Sequence, residues 1–232
     1  MEIGGTLISS VEYNGKMSLV IFMALCPLRC PYCHNFELLK KGDEKSLEEI
    51  FRIIDNSLDY IDAVVISGGE PLVQIEDTIE LLKYSKSLGL KTKVDTSGCY
   101  PKRIIKILEF TDYISLDVKA PFDKYEEVIG ADIGANVKKS MEIINESQNT
   151  FLECRTTYVP RILEYEDIKK ISTQISCDVY TLQQFRNKVV LDKKLNDIKS
   201  PNPLELKDLA KKLKPNLKKI KVKTSEFGEE CI

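Results

Sequence analysis

The chain has no tryptophan, one histidine, and only nine prolines and eleven glycines in 232 residues. So few backbone punctuators exclude long flexible linkers and collagen-like repeats. Neither sign of charge dominates: 34 basic residues stand against 36 acidic ones, a formal net charge of −2. This balance argues against a chain dedicated to nucleic acid or to an acidic membrane surface. Long apolar runs are missing too. The longest, Leu19 to Cys26, is far too short to span a bilayer. Met1-Glu2-Ile3-Gly4-Gly5 has no basic stretch leading into an apolar one, so no signal peptide is read there. The expected compartment is cytoplasmic.

What remains is an ordinary globular balance, 43% apolar and 30% charged. Seven cysteines are an odd number, and three of them fall within eight residues. A secreted disulfide framework would be shorter and evenly stapled, so a local thiolate cluster in a reducing compartment fits better. Cys99, Cys154, Cys177 and Cys231 are scattered singly and read as small buried hydrophobes.

Short β-branched runs alternate with amphipathic helical patterns. The runs are Ser18–Leu25, Asp62–Ser67, Lys91–Asp95, Tyr113–Val118, Phe151–Val159 and Cys177–Gln184. Nearly continuously apolar, they read as strands buried on both faces of a parallel sheet. Ser46-Leu47-Glu48-Glu49 is a capping box, and Glu76–Leu88 is a helix stopped by Gly89. Pro101 opens another helix, and further helices are expected near 136–147, 165–175 and 203–213. The fold class is α/β with parallel strands and a small N-terminal hairpin turning at Asn14-Gly15; six strand–helix units in this length make a partial (β/α)6 barrel or a doubly wound sheet. A closed eight-unit barrel needs about 250 residues. One domain covers 1–232, with a C-terminal helix and edge strand over 203–224. Lys207–Lys223 holds eight lysines and one acid, and reads as a solvated helix followed by an edge strand that its lysines protect.

The decisive segment is Cys26-Pro27-Leu28-Arg29-Cys30-Pro31-Tyr32-Cys33-His34-Asn35, directly after the first parallel strand. Prolines after two of the cysteines favour a loop over a helix. Three thiolates can hold three irons of a [4Fe–4S] cluster and leave the fourth open to an exogenous molecule. The competing donor set is a zinc site of Cys26, Cys30, Cys33 and His34. A redox dithiol needs fewer cysteines than are present. Gly68-Gly69-Glu70-Pro71 follows the second of these strands, where paired glycines let a backbone approach a ligand closely. Asp95-Thr96, Asp117-Val118-Lys119 and Arg155 supply polar residues at successive strand ends, where a barrel builds its site.

On the cysteine loop and the G-G-E-P segment, the chain resembles the radical S-adenosylmethionine (SAM) superfamily, over about residues 9–184. Cys30-Pro31-Tyr32-Cys33-His34-Asn35 is similar to the loop of glycyl-radical enzyme activating enzymes, those of anaerobic ribonucleotide reductase and pyruvate formate-lyase. The resemblance implies one [4Fe–4S] cluster on Cys26, Cys30 and Cys33, and SAM held by Gly68, Gly69 and Glu70 through its amino group. It implies Lys119 and Asp117 at the SAM carboxylate, with Asp95, Thr96 and Asp117 beside a monovalent cation. Arg155 and the Tyr32–His34 backbone become candidates for ribose and adenine. Gln183 or Gln184 stands where related enzymes carry a SAM-contacting histidine, and Leu25 stands where a glycine often precedes the first cysteine. No residue is assigned as a catalytic acid or base, His34 included. The implied activity is reductive SAM cleavage to a 5′-deoxyadenosyl radical, which abstracts hydrogen from a glycine of a partner glycyl-radical enzyme. A ferredoxin or flavodoxin would supply the electron. The alternatives are a radical SAM enzyme acting on a small molecule, of the 7-carboxy-7-deazaguanine synthase kind, and a non-catalytic metal-binding protein.

Overall fold

The computed structural model describes all 232 residues. A hairpin of β1 (Glu2–Tyr13) and β2 (Lys16–Met23) turns at Asn14-Gly15, with Gly15 at φ +73°. Next come β3 (Asp43–Glu44), α1 (Leu47–Asp55), β4 (Ala63–Gly68), α2 (Ile75–Ser87) and β5 (Lys91–Thr96). They are followed by α3 (Pro101–Ile107), β6 (Tyr113–Asp117), α4 (Tyr125–Ile129), α5 (Gly134–Glu146) and β7 (Phe151–Tyr158). The chain closes with α6 (Tyr165–Gln174), β8 (Val179–Gln184), α7 (Pro203–Leu213), β9 (Ile220–Thr224) and β10 (Gly228–Cys231).

All ten strands form one sheet, in the order β10-β9-β8-β7-β6-β5-β4-β2-β1-β3. Pairing is parallel from β2 through β9, and antiparallel at both flanks. The six expected parallel strands are present, and β9 joins them as a seventh. The order has two ends, so backbone bonds leave the barrel open. The capping box holds α1 as expected: the Ser46 hydroxyl accepts the Glu49 amide, and Glu49 accepts the Ser46 amide at 2.8 Å. Such a cap contributes about 1 kcal/mol. Helices bury Ile50, Leu81, Ile104, Ile144 and Ile171 on the sheet, each side chain worth about 1.5–3 kcal/mol.

Three expectations are corrected here. Only β2 and β4 are close to continuously apolar and buried; β5 to β9 alternate. Val94, Leu116, Leu152, Leu182 and Val222 pack outward in the helix-covered core, while Lys93, Ser115, Glu153, Thr181 and Lys221 are buried on the barrel side. These inward groups satisfy one another. Glu153 accepts hydrogen bonds from Ser115 at 2.7 Å, from Tyr113 at 3.2 Å and from Thr181. Lys221 pairs with Glu229 of β10 at 3.2 Å. The strand expected at 218–224 therefore is not a lysine-guarded edge: β10 covers it, and Lys221 points inward, 5% exposed. Cys231 likewise is exposed on β10, whereas Cys99, Cys154 and Cys177 are buried as expected.

The open side of the barrel is narrowed from both flanks. Lys223 of β9 lies 3.7 Å from the Glu12 carboxylate of β1, and the Glu12 carbonyl accepts Lys93 Nζ at 2.6 Å. The carboxyl ends of the parallel strands converge on the mouth left between these flanks.

Candidate active site

The cysteine loop starts where β2 ends, and its backbone is fixed from two directions. The Leu25 amide donates to Leu38 O at 2.7 Å, and Leu25 O accepts the Glu70 amide at 2.8 Å. Leu25 itself sits at φ +68°, the left-handed region that favours glycine. These bonds hold a bulky residue in a conformation that costs about 1 kcal/mol or more. Beyond it, Cys33 N bonds Cys30 O at 3.0 Å, and Arg29 Nη1 braces Cys26 O at 3.1 Å.

Gly68 and Gly69 are demanded by this loop. Gly68 has φ +110°, and a Cβ there would collide with the Met23 backbone; one at Gly69 would collide with Leu25 O. The Gly68 carbonyl accepts Asn35 Nδ2 at 3.2 Å, so the end of the cysteine motif returns to the end of β4.

Cys26, Cys30 and Cys33 open with Gly68, Lys119 and Arg155 into one cavity of about 550 Å³, a size typical for small-molecule cofactors. Burial pushes the Cys26 thiol up to about 12 and raises Cys30 and Cys33 as well. Thiols so disfavoured as bare anions call for a positive centre to pair with. No three histidine, cysteine or carboxylate side chains converge closely enough for a single metal ion, and a zinc tetrahedron needs Zn–S bonds of about 2.3 Å. Three thiols lining one cavity of that volume leave room for a larger inorganic core. The Tyr32 hydroxyl, buried among them, has no partner.

Opposite the cysteines lies a network of charges. Lys119 Nζ stands 3.0 Å from one Asp117 oxygen, and Arg155 Nε donates to the other at 3.0 Å. Arg155 also reaches Asp95 at 3.4 Å, and Asp95 pairs with Lys93 at 3.1 Å and accepts Ser67 Oγ at 2.9 Å. Burial disfavours both carboxylates, but Arg155 and Lys93 hold Asp95 low, while Lys119 and Arg155 hold Asp117 low. Burial also works against the Lys119 ammonium, and the Asp117 charge overrides it, raising its pKa well above the ordinary lysine value.

The remaining expected residues separate. Glu70 is fully buried and outside the cavity lining: its carboxylate accepts bonds from Leu72 N, Thr96 Oγ1, Ser97 N and Ser97 Oγ. Burial raises its pKa despite those donors. Thr96 borders the cavity, yet its hydroxyl is turned to Glu70 at 2.8 Å. Gln183 and Gln184 both line the cavity; Gln184 is tied to Pro201 O at 2.9 Å and to Ser225 N at 2.8 Å, whereas Gln183 makes no side-chain hydrogen bond. His34 is exposed, with Nδ1 2.7 Å from Val189 O, which fits a shaping role. Asn35, Ser67, Arg186 and Lys223 also line the cavity. The sequence marked none of the four as a site residue; only Asn35, inside the cysteine motif, carried a signal.

The radical SAM superfamily model matches residues 20–175, two thirds of the chain. This chain belongs to the radical SAM superfamily. Among its relatives is a Methanocaldococcus jannaschii protein provisionally named a glycyl-radical enzyme activating enzyme, 37% identical over 94% of this chain and 93% of its own. The pyruvate formate-lyase-activating enzyme of Clostridium pasteurianum is 29% identical over 89% of this chain and 96% of its own. In fold, the chain superposes on Streptococcus suis SuiB bound to its precursor peptide SuiA with a TM-score of 0.68, at 20% identity, covering 84% of this chain and 44% of that one. It is thus a radical SAM enzyme of the activating-enzyme type, and the family implies a [4Fe–4S] cluster and SAM. No helix is long and apolar enough to cross a membrane.

Proposed function

We propose that this radical SAM enzyme takes hydrogen from a glycine Cα of a partner glycyl-radical enzyme. The observation that carries the proposal is the meeting of Cys26, Cys30, Cys33, Gly68 and Lys119 in one cavity at the strand ends. The names of relatives that align along nearly the whole chain support the glycine as substrate.

In this reading Cys26, Cys30 and Cys33 hold a [4Fe–4S] cluster. Together with SAM it supplies, when bound, one-electron cleavage of a sulfonium and a carbon radical able to take hydrogen. The protein supplies position and field. Gly68, kept open by its missing side chain and anchored by Asn35, presents backbone to the SAM amino group. Lys119 binds the SAM carboxylate in place of, or alongside, Asp117. Arg155 keeps Asp117 low and oriented so that Lys119 stays charged. Gln183 offers an amide to ribose or adenine, and the Tyr32–His34 backbone borders the same region. Asp95 and Asp117 offer oxygens to a monovalent cation in competition with Arg155 and Lys93. A ferredoxin or flavodoxin supplies the electron, and the cytoplasm is the compartment.

The test is anaerobic. Reduced, cluster-loaded protein is mixed with SAM and a candidate glycyl-radical enzyme, and the electron paramagnetic resonance spectrum is recorded. A glycyl doublet that disappears when the partner's glycine is replaced supports the proposal. Turnover of a small molecule, with every cognate candidate left radical-free, contradicts it.

A further inference from the structure

One segment stays outside the barrel and, apart from Arg186 in the cavity lining, outside the functions assigned so far. Residues 186–199 leave β8 and cross the cysteine loop, touching it twice. Asp192 N donates to Pro31 O at 2.8 Å, and Val189 O meets His34 Nδ1 at 2.7 Å. The segment is held in a defined shape: Val190, Leu195 and Ile198 are buried, and Asn187 Nδ2 bonds Asn196 O at 2.9 Å across it. Its outer surface is basic. Arg186, Lys188, Lys193, Lys194 and Lys199 are all exposed, against only Asp192 and Asp197. Asp192 accepts the Lys194 amide and keeps its charge, so five cations against two carboxylates leave the segment with a formal charge of +3.

None of these five cations takes part in an ion pair or a side-chain hydrogen bond, unlike Lys83, Lys86, Lys91, Lys139 and Lys170 elsewhere on the surface. The neighbouring cysteine loop adds exposed Arg29 and no acid between Cys26 and Asn35. Within the same segment Val189 is 55% exposed. Against an overall charge of −2 this is a local concentration of positive charge on a segment that touches the cysteine loop at Pro31 and His34. A net positive charge with an exposed apolar residue among the cations is the footprint of a steered protein–protein contact, with an oppositely charged partner.

We propose that residues 186–199, with Arg29, form the docking surface for an acidic protein that delivers single electrons to the cysteine loop. The inference rests on the proposed function, because that chemistry consumes one electron per SAM at Cys26, Cys30 and Cys33. One electron moves and no bond is made in the docking step: the donor's flavin or iron–sulfur centre is oxidised by one electron, and the centre held by the three cysteines is reduced by one. Cations directly beside the entry point shorten the search for a productive orientation. The lysines of α7 lie on another element, and Lys211 there is already paired with Asp208.

The experiment uses an acidic flavodoxin as probe. Its binding to the full-length chain without cluster is measured by calorimetry, at about 0.01 M and about 0.15 M ionic strength, where the Debye length falls from about 30 to about 8 Å. Lys193→Glu/Lys194→Glu is compared with wild type and with Lys211→Glu/Lys212→Glu, an equal charge change on α7. The expected result is binding weakened on the order of tenfold at low salt for the first variant only, with the difference shrinking at high salt. In cluster-loaded protein the same variant should be reduced more slowly by flavodoxin but equally fast by dithionite, with SAM affinity unchanged. Equal binding by all three proteins, or equal losses in both variants, overturns the docking proposal. So does a variant that binds flavodoxin normally and fails only with the glycyl-radical partner, which would assign the patch to the protein substrate. Absence of SAM cleavage in dithionite-reduced wild type would instead overturn the proposed function, so the two failures are distinguishable.

Discussion

The Glu70 carboxylate accepts the Ser97 amide at 2.8 Å, tying the end of β4 to the end of β5 from outside the cavity. With Ser97 Oγ, Thr96 Oγ1 and Leu72 N it makes four bonds in a fully buried place. Each buried donor left without a partner costs about 1–3 kcal/mol. Glu70→Ala should therefore destabilise the chain by on the order of 3 kcal/mol, measured by denaturant unfolding of the protein without cluster. An unchanged midpoint would show that the carboxylate does not hold the two strand ends together.

Lys119 faces the cysteines while pairing with Asp117. If it moves to the SAM carboxylate, Lys119→Ala removes a charge-assisted hydrogen bond worth about 1.5–3 kcal/mol, or about ten- to a hundredfold in affinity. Asp117 keeps Arg155 as a partner in the variant, so the iron and sulfide content should stay at the wild-type level. Calorimetry with SAM checks the first expectation and metal analysis the second. Wild-type SAM affinity would contradict the assignment.

Each of Cys26, Cys30 and Cys33 should be needed for the same centre. Serine at any one position, after anaerobic reconstitution, should lower bound iron and abolish SAM cleavage. One variant with full iron and wild-type cleavage would remove that cysteine from the ligand set.

Acid stability has a local source far from the cavity. Burial works against the Asp112 carboxylate, but hydrogen bonds from Lys86, Lys91 and Thr92 lower its pKa to about 2, from 3.8. A depressed folded-state value means stability that is present above 3.8 and is lost as pH falls towards 2. Asp112→Asn should lose this contribution at neutral pH and show a flatter acid-unfolding curve across that window. Parallel curves for variant and wild type would contradict the linkage.

Much of the architecture was legible because local signals agreed with one another. The capping box at Ser46, the stop at Gly89 and the start at Pro101 all lie where their chemistry puts them. The cysteine loop was legible for the same reason: its three cysteines fall within eight residues. The bonding of Glu70 to the end of β5 was not, because it depends on Ser97, 27 residues away. Nor was the barrel interior. Lys93, Glu153 and Lys221 sit among apolar neighbours, and only their cross-strand partners make them buried residues; without those partners they read as solvent-facing. β10, Gly-Glu-Glu-Cys, has no apolar signature at all and is a strand only because β9 templates it. The place of residues 186–199 was hidden likewise, since it rests on Asp192 and Val189 backbone contacts with Pro31 and His34.

The most direct measurement follows the hydrogen atom. A candidate glycyl-radical enzyme is made with glycine deuterated at Cα, activated anaerobically with reduced enzyme and SAM, and the released 5′-deoxyadenosine is weighed by mass spectrometry. If a glycine Cα is the hydrogen donor, one deuterium appears in 5′-deoxyadenosine in step with glycyl-radical formation. 5′-Deoxyadenosine that carries no deuterium while SAM is consumed, or that draws label only from a deuterated small molecule, would contradict it.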